Sequence, residues 1–236
     1  MLASIDLLEI GLSLCLGAAA LVCLFDRHVG RATNAYVAFA LSLVLAWLWL
    51  GAPLLALIEL VLGGLVTGAS LFYALGALDA RRRGLRFHVT SLRRHGPHID
   101  TFRGPVSHRL ARTLLTVAWC GMVGAVIRLV MPEMAYNPSE HPLMLVAVLL
   151  VGLAMGAFAL HRHRLRRLLA FNVLGSGVFL LVVGLAGTAE GSQALVGVGL
   201  LVASLGSLLG AVLIRELNAH EDEASQEQAG APGRPG

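Results

Sequence analysis

Seven long apolar runs, separated by polar links, occupy most of this chain. They cover Ile5 to Phe25, Ala35 to Ala52, Leu54 to Leu78, Leu110 to Met131, His141 to Leu160, Leu168 to Ala186 and Ala194 to Ile214. Each approaches the roughly 20 residues a helix needs to cross a hydrocarbon core about 30 Å thick. The pattern predicts an all-α, polytopic membrane protein with seven transmembrane helices.

Composition points the same way. Of 236 residues, 57% are hydrophobic and only 14% are charged, too little polar surface for a water-soluble domain of this length. Charge then sets the orientation. All 18 basic residues are arginine. Nine fall between Arg81 and Arg112, in or beside the third link; Arg162, Arg164, Arg166 and Arg167 fall in or beside the fifth, and Arg27 and Arg31 in the first. The alternate links, Gly51-Ala52-Pro53, Pro132 to Glu140 and Gly187 to Gln193, carry no arginine. Positive links stay in the cytoplasm, so the expected topology has the N-terminus outside and the C-terminus inside. The expected location is the inner (plasma) membrane.

The net charge of +4 follows from that topology, and no recognition motif interleaves the arginines with aromatics. Membrane lipids, not nucleic acid, are the expected surroundings. Anionic headgroups would favour the basic link 80–109 against the inner leaflet. Leu85, Phe87 and Val89 alternate with polar residues there and allow a short surface strand. The N-terminal ten residues hold two acids and no base, unlike a cleavable signal peptide. Cys15, Cys23 and Cys120 lie inside apolar runs and read as small apolar residues. The tail 218–236, rich in Glu, Gln, Ala, Gly and Pro, reads as disordered.

The chain divides into a three-helix module (1–79), the basic link (80–109), a single helix with an outer loop (110–140), a second three-helix module (141–217) and the tail. Gly64 and Gly68, Gly152 and Gly156, and Gly206 and Gly210 stand at GxxxG spacing, which lets helix backbones approach closely. Trp47 and Trp49, at the outer end of the second run, read as interfacial anchors.

Charges inside a membrane are costly and point to function. There are three here: Glu9, Glu59 and Arg128. At 1.5 Å per residue, each lies roughly 5 to 7 Å inside the outer end of its run. They are the candidates for a proton or cation path; for Glu9 and Arg128, shallow snorkelling or a structural ion pair is the plainer reading, while for Glu59 the two readings are balanced. His88, His95, His98, His108, His161 and His163 lie in basic links without the spacing or carboxylate partners of a metal site. No nucleophile elbow, phosphate loop, paired catalytic carboxylates or haem motif occurs. The expectation is a protein that is not an enzyme and holds no cofactor and no metal.

The run Gly51-Ala52-Pro53-Leu54-Leu55-Ala56-Leu57-Ile58-Glu59, followed by Gly63 and Gly64, resembles the D subunit of membrane-bound hydrogenases. The same module occurs in the large A subunit of Mrp-type cation/proton antiporters. Leu54 stands where that family has Asp, and Ile58 where it has Thr. The stretch Arg164 to Val178, with Gln193-Ala194-Leu195-Val196 opening the next helix, is similar to the Mrp C subunit and its relative, the K subunit of complex I. Met131-Pro132-Glu133, ending the single helix, faintly resembles the E subunit. The resemblance implies fused small subunits, accessory to larger antiporter-like partners that translocate protons or sodium. The sixth and seventh runs lack the acids of the complex I relatives. Any direct ion role then rests on Glu59, with the C/K-like half structural. A stand-alone secondary transporter and a purely structural membrane scaffold are the alternatives.

Overall fold

The computed structural model describes residues 2–76, scattered positions between 114 and 129, residues 142–187 and residues 190–230; side chains are described for 7–76, those scattered positions, 142–187 and 191–220. The described residues are helical, without a β-strand, and include six helical spans long and apolar enough to cross a membrane. In chain order they are α1 (Leu2–Phe25), α2 (Val29–Trp49) and a third span in three parts. The parts are α3 (Pro53–Ile58), a π-helical stretch (Glu59–Thr67) and α4 (Gly68–Ala74). Then come α5 (Pro142–Leu160), α6 (Arg164–Ala186) and α7 (Glu190–Gly230). The described residues of 114–129 are helical as well. The link 80–109, with the alternation at Leu85 to Val89 and four of the candidate histidines, lies outside the described residues, as does Cys120.

The two largest differences from the hydropathy pattern are at the start of α2 and the end of α7. α2 begins at Val29, six residues before the apolar run at Ala35. The turn before it explains why. His28 N–H donates to Asp26 Oδ1 at 2.8 Å, and Arg31 meets both Asp26 oxygens at 3.0 Å. Burial pushes the Asp26 carboxyl up, but the His28 N–H and the Arg31 guanidinium outweigh it and hold the group below the usual carboxylate range. This two-pronged contact fixes the first helical turn in polar surroundings. At the other end of the chain, α7 runs through Asn218 to Gly230, where composition predicts disorder. Glu, Gln and Ala are strong helix formers, and the preceding apolar helix removes the nucleation cost.

The α2–α3 turn is a Schellman motif. Gly51 takes φ +73°, a conformation open to glycine at little cost. Ala52 N–H donates to Trp47 O at 2.9 Å and Gly51 N–H to Leu48 O at 3.1 Å, which satisfies two terminal carbonyls of α2. Pro53 then opens α3, where its missing N–H costs nothing.

The helices form two layers of three. α1, α2 and the third span make one layer; α5, α6 and α7 make the other. Across the interface α1 meets α5, α2 meets α6, and α7 runs along the whole third span. Small residues set the closeness. A Cβ at Gly177 of α6 would stand 3.0 Å from Leu150 Cβ and 3.2 Å from the Ala147 carbonyl of α5, and one at Gly199 of α7 would meet the Phe179 ring of α6 at 2.6 Å. The GxxxG pairs contribute unevenly. Gly152 and Gly156 are buried and Gly210 sits against Leu168, but Gly206 faces open space. One polar tie joins α6 to α7: Ser207 Oγ donates to Asn172 Oδ1 at 2.6 Å, while Asn172 Nδ2 donates to Leu168 O. Outward-facing side chains such as Leu14, Leu21, Leu45, Val202 and Leu209 are exposed, a surface that water penalises and lipid tails match.

Among the described residues, the two arginine-bearing links, after α1 and after α5, lie at one end of this bundle. His161, following α5, donates from Nε2 to Leu24 O of α1 at 2.9 Å. Arg215 of α7 donates to Tyr73 O of α4 at 3.1 Å and lies 4.2 Å over the Tyr73 ring. Arg167 lies 4.7 Å over Phe158. Histidine and arginine thus meet the carbonyl ends of two spans, where the helix dipole favours positive charge.

Candidate functional site

Glu59 opens the π-helical stretch, and its side chain is 1% exposed. The Schellman turn and Pro53 aim the third span back along α2, so the first turns of α3 carry Glu59 beside the last turns of α2. There it lies next to Trp47, itself fully buried. Neither Trp47 Nε1 nor Glu59 Oε2 completes a hydrogen bond. Two orphaned polar atoms, a donor and an acceptor, therefore share one buried place, where each costs free energy.

Gly63 completes the seat. It stands four residues after Glu59, and the space a Cβ would take there is filled by Glu59 Oε1. Deeper along the same interface lies Tyr36 of α2, within electrostatic reach of Glu59 and beside Thr67 of the third span. Thr67 Oγ1 donates to Leu62 O at 2.9 Å, five residues back along the π turn, and Ser70 Oγ donates to Thr67 O at 2.7 Å. With Tyr73 and Arg215 beyond them, polar side chains run along the third span from the carboxyl to the arginine-rich end. π-helical geometry is rare in proteins and frequent at functional sites; nine residues of it, starting at the one fully buried acid among the described residues, mark this span.

The three charges singled out in sequence are not brought together. Glu9 is half-buried on α1, and Arg128 is exposed. Among the described residues no ion pair or hydrogen bond joins either of them to Glu59. The companions of Glu59 are instead Trp47, Gly63, Tyr36 and Thr67. Trp47 corrects an expectation: it is not an interfacial anchor but a core residue facing a carboxyl. Depth along the helix suggested the interface; rotation about the helix decides otherwise. Tyr36, Leu43 and Trp47 share one buried stripe of α2, and positions eleven apart return to nearly the same face of a helix. That periodicity was the available signal. Among the described residues no group of three His, Cys, Asp or Glu could hold a metal ion.

Compared with protein-family models, curated proteins and solved structures, the chain matches none. The likeness to hydrogenase and antiporter subunits therefore stands on the residues quoted for it.

Proposed function

We propose that this chain is an accessory integral-membrane subunit of a complex I-like or Mrp-type cation/proton antiporter assembly, supporting proton or sodium translocation by a larger partner subunit. The observation that carries the reading is Glu59: the single buried carboxyl among the described residues, with an unpartnered oxygen, at the position the Gly-Ala-Pro motif marks. A buried acid in a membrane span is expensive to keep without a use. Polar groups below it, at Tyr36, Thr67 and Ser70, give a proton somewhere to go. In the second layer the apolar runs Leu168 to Ala186 and Ala194 to Ile214 carry hydroxyls and one amide but no acid, which suits a supporting role.

The layer arrangement favours this reading over a stand-alone carrier. Transporter halves related by a two-fold axis along the membrane normal would set the first helix of one half against the third of the other. Here first meets first and third meets third.

Seven crossings with the arginine-rich end in the cytoplasm remain part of the proposal. α4 ends at the arginine-rich end of the bundle, and α5, which finishes at that end beside Leu24, starts at the opposite one. An odd number of crossings between residues 77 and 141 satisfies this, and the apolar run from Leu110 to Met131 supplies one. A reporter active only in the cytoplasm should work when fused after Arg83 or Ala219 and stay dark after Glu140. Activity after Glu140 would overturn the seven-crossing topology.

The direct test of the function is co-purification. Extracted in mild detergent from its native membrane, the protein should run with larger multi-spanning partners. A monodisperse single chain that alone moves an ion across liposomes would replace the accessory reading with the carrier.

A further inference from the structure

Resting on the reading of Glu59 as the ion-handling residue, we infer that its seat takes a proton and excludes sodium and potassium, with Trp47 and Gly63 as the residues that impose the choice. A metal cation leaves water only where several oxygens replace its hydration shell. Around Glu59 the described groups do not form such a shell. One carboxyl oxygen is pressed against Gly63, in the room a methyl group would need. The neighbour from α2 is an indole N–H, which can donate but cannot ligate a cation. The Thr67 hydroxyl is already directed at Leu62 O, and the backbone carbonyls of the stretch serve its own hydrogen-bond ladder. A proton needs no such shell; it needs one acceptor and a means of leaving.

The orphaned indole provides the means. The Trp47 N–H lies beside the carboxyl without completing a hydrogen bond to it. Once the proton leaves, the same N–H becomes the donor that a buried carboxylate requires. Trp47 is thus a positioning residue for the charged state, and Gly63 keeps the seat narrow. The groups facing the carboxyl are few. From α2 they are Trp47 and Tyr36; Arg31, at the far end of that helix, is occupied by Asp26. α7, the other helix against this span, carries no titratable residue from Gly191 to Ile214. No fixed cation therefore competes for the site among these elements.

The test is labelling by a hydrophobic carbodiimide, which reacts with protonated carboxyls in apolar surroundings. Native membranes holding the full assembly would be treated across a pH series, in choline, sodium or potassium chloride, and Glu59 adducts counted by mass spectrometry. The inference expects labelling that falls as pH rises and is the same in all three salts. It also expects Trp47→Phe, which keeps an aromatic ring but removes the donor, to retain labelling to a pH about one unit higher. Protection of Glu59 by sodium or potassium at constant pH would overturn the proton-only seat, as would a Trp47→Phe profile identical to the parent. The two readings fail separately: salt-independent labelling with full transport in Glu59→Gln would leave the seat standing and remove the function.

Discussion

Glu59→Gln is expected to abolish ion-coupled transport by the assembled complex while leaving its assembly intact. The amide has nearly the shape of the carboxylic acid, so it fits beside Gly63 and Trp47 without new strain. It can even accept the Trp47 N–H. What it loses is the exchangeable proton, and no other fully buried acid lies among the described residues to replace it. The measurement is cation-driven proton movement in inverted vesicles, with complex yield followed on native gels. Near-normal transport would reduce this chain to a helical scaffold. Loss of the complex itself would show that the carboxyl holds the structure rather than the ion.

The second large effect is expected at Gly177. A leucine there must place its Cβ at 3.0 Å from Leu150 and 3.2 Å from the Ala147 carbonyl, then find room for three more carbons. The carbonyl belongs to the α5 backbone and yields only if the helices part. Overpacking of this kind costs about 1–3 kcal/mol, and more where backbone must move. Folded yield of Gly177→Leu in detergent should fall severely. Gly206→Leu is the control: it also belongs to a GxxxG pair, but nothing lies within 4 Å of its Cβ position, and it should be tolerated. Equal damage at both positions would mean that glycine spacing, not the contacts seen here, sets helix packing.

That contrast shows where the sequence was readable. The six described spans were visible as apolar runs because transfer into lipid is priced residue by residue. The placing of Arg27, Arg31, Arg162, Arg164, Arg166 and Arg167 at one end was visible because charge cannot be hidden in a hydrocarbon core. Glu59 stood out for the same reason. Rotation about each helix axis was less visible, since nearly every position is apolar and the contrast between faces is faint. Trp47 was therefore misplaced, and Gly206 was grouped with residues that do pack. The π-helical stretch has no local signature in Glu59 to Thr67, so the sequence did not show it. Glu9 and Arg128 were chosen as charges inside apolar runs, and a similar depth does not by itself bring side chains together.

The Schellman turn has a consequence for how the protein is made. Trp47 and Glu59 stand twelve residues apart, on two helical segments joined by a three-residue turn whose hydrogen bonds are all local. Closing so short a loop costs little chain entropy, and contacts of such low separation form early. A helical hairpin leaving the insertion machinery can hold donor, carboxyl and glycine in place before the second layer has been synthesised. Partner subunits then arrive at a seat that is already built, and the slow step of biogenesis is the docking of finished hairpins.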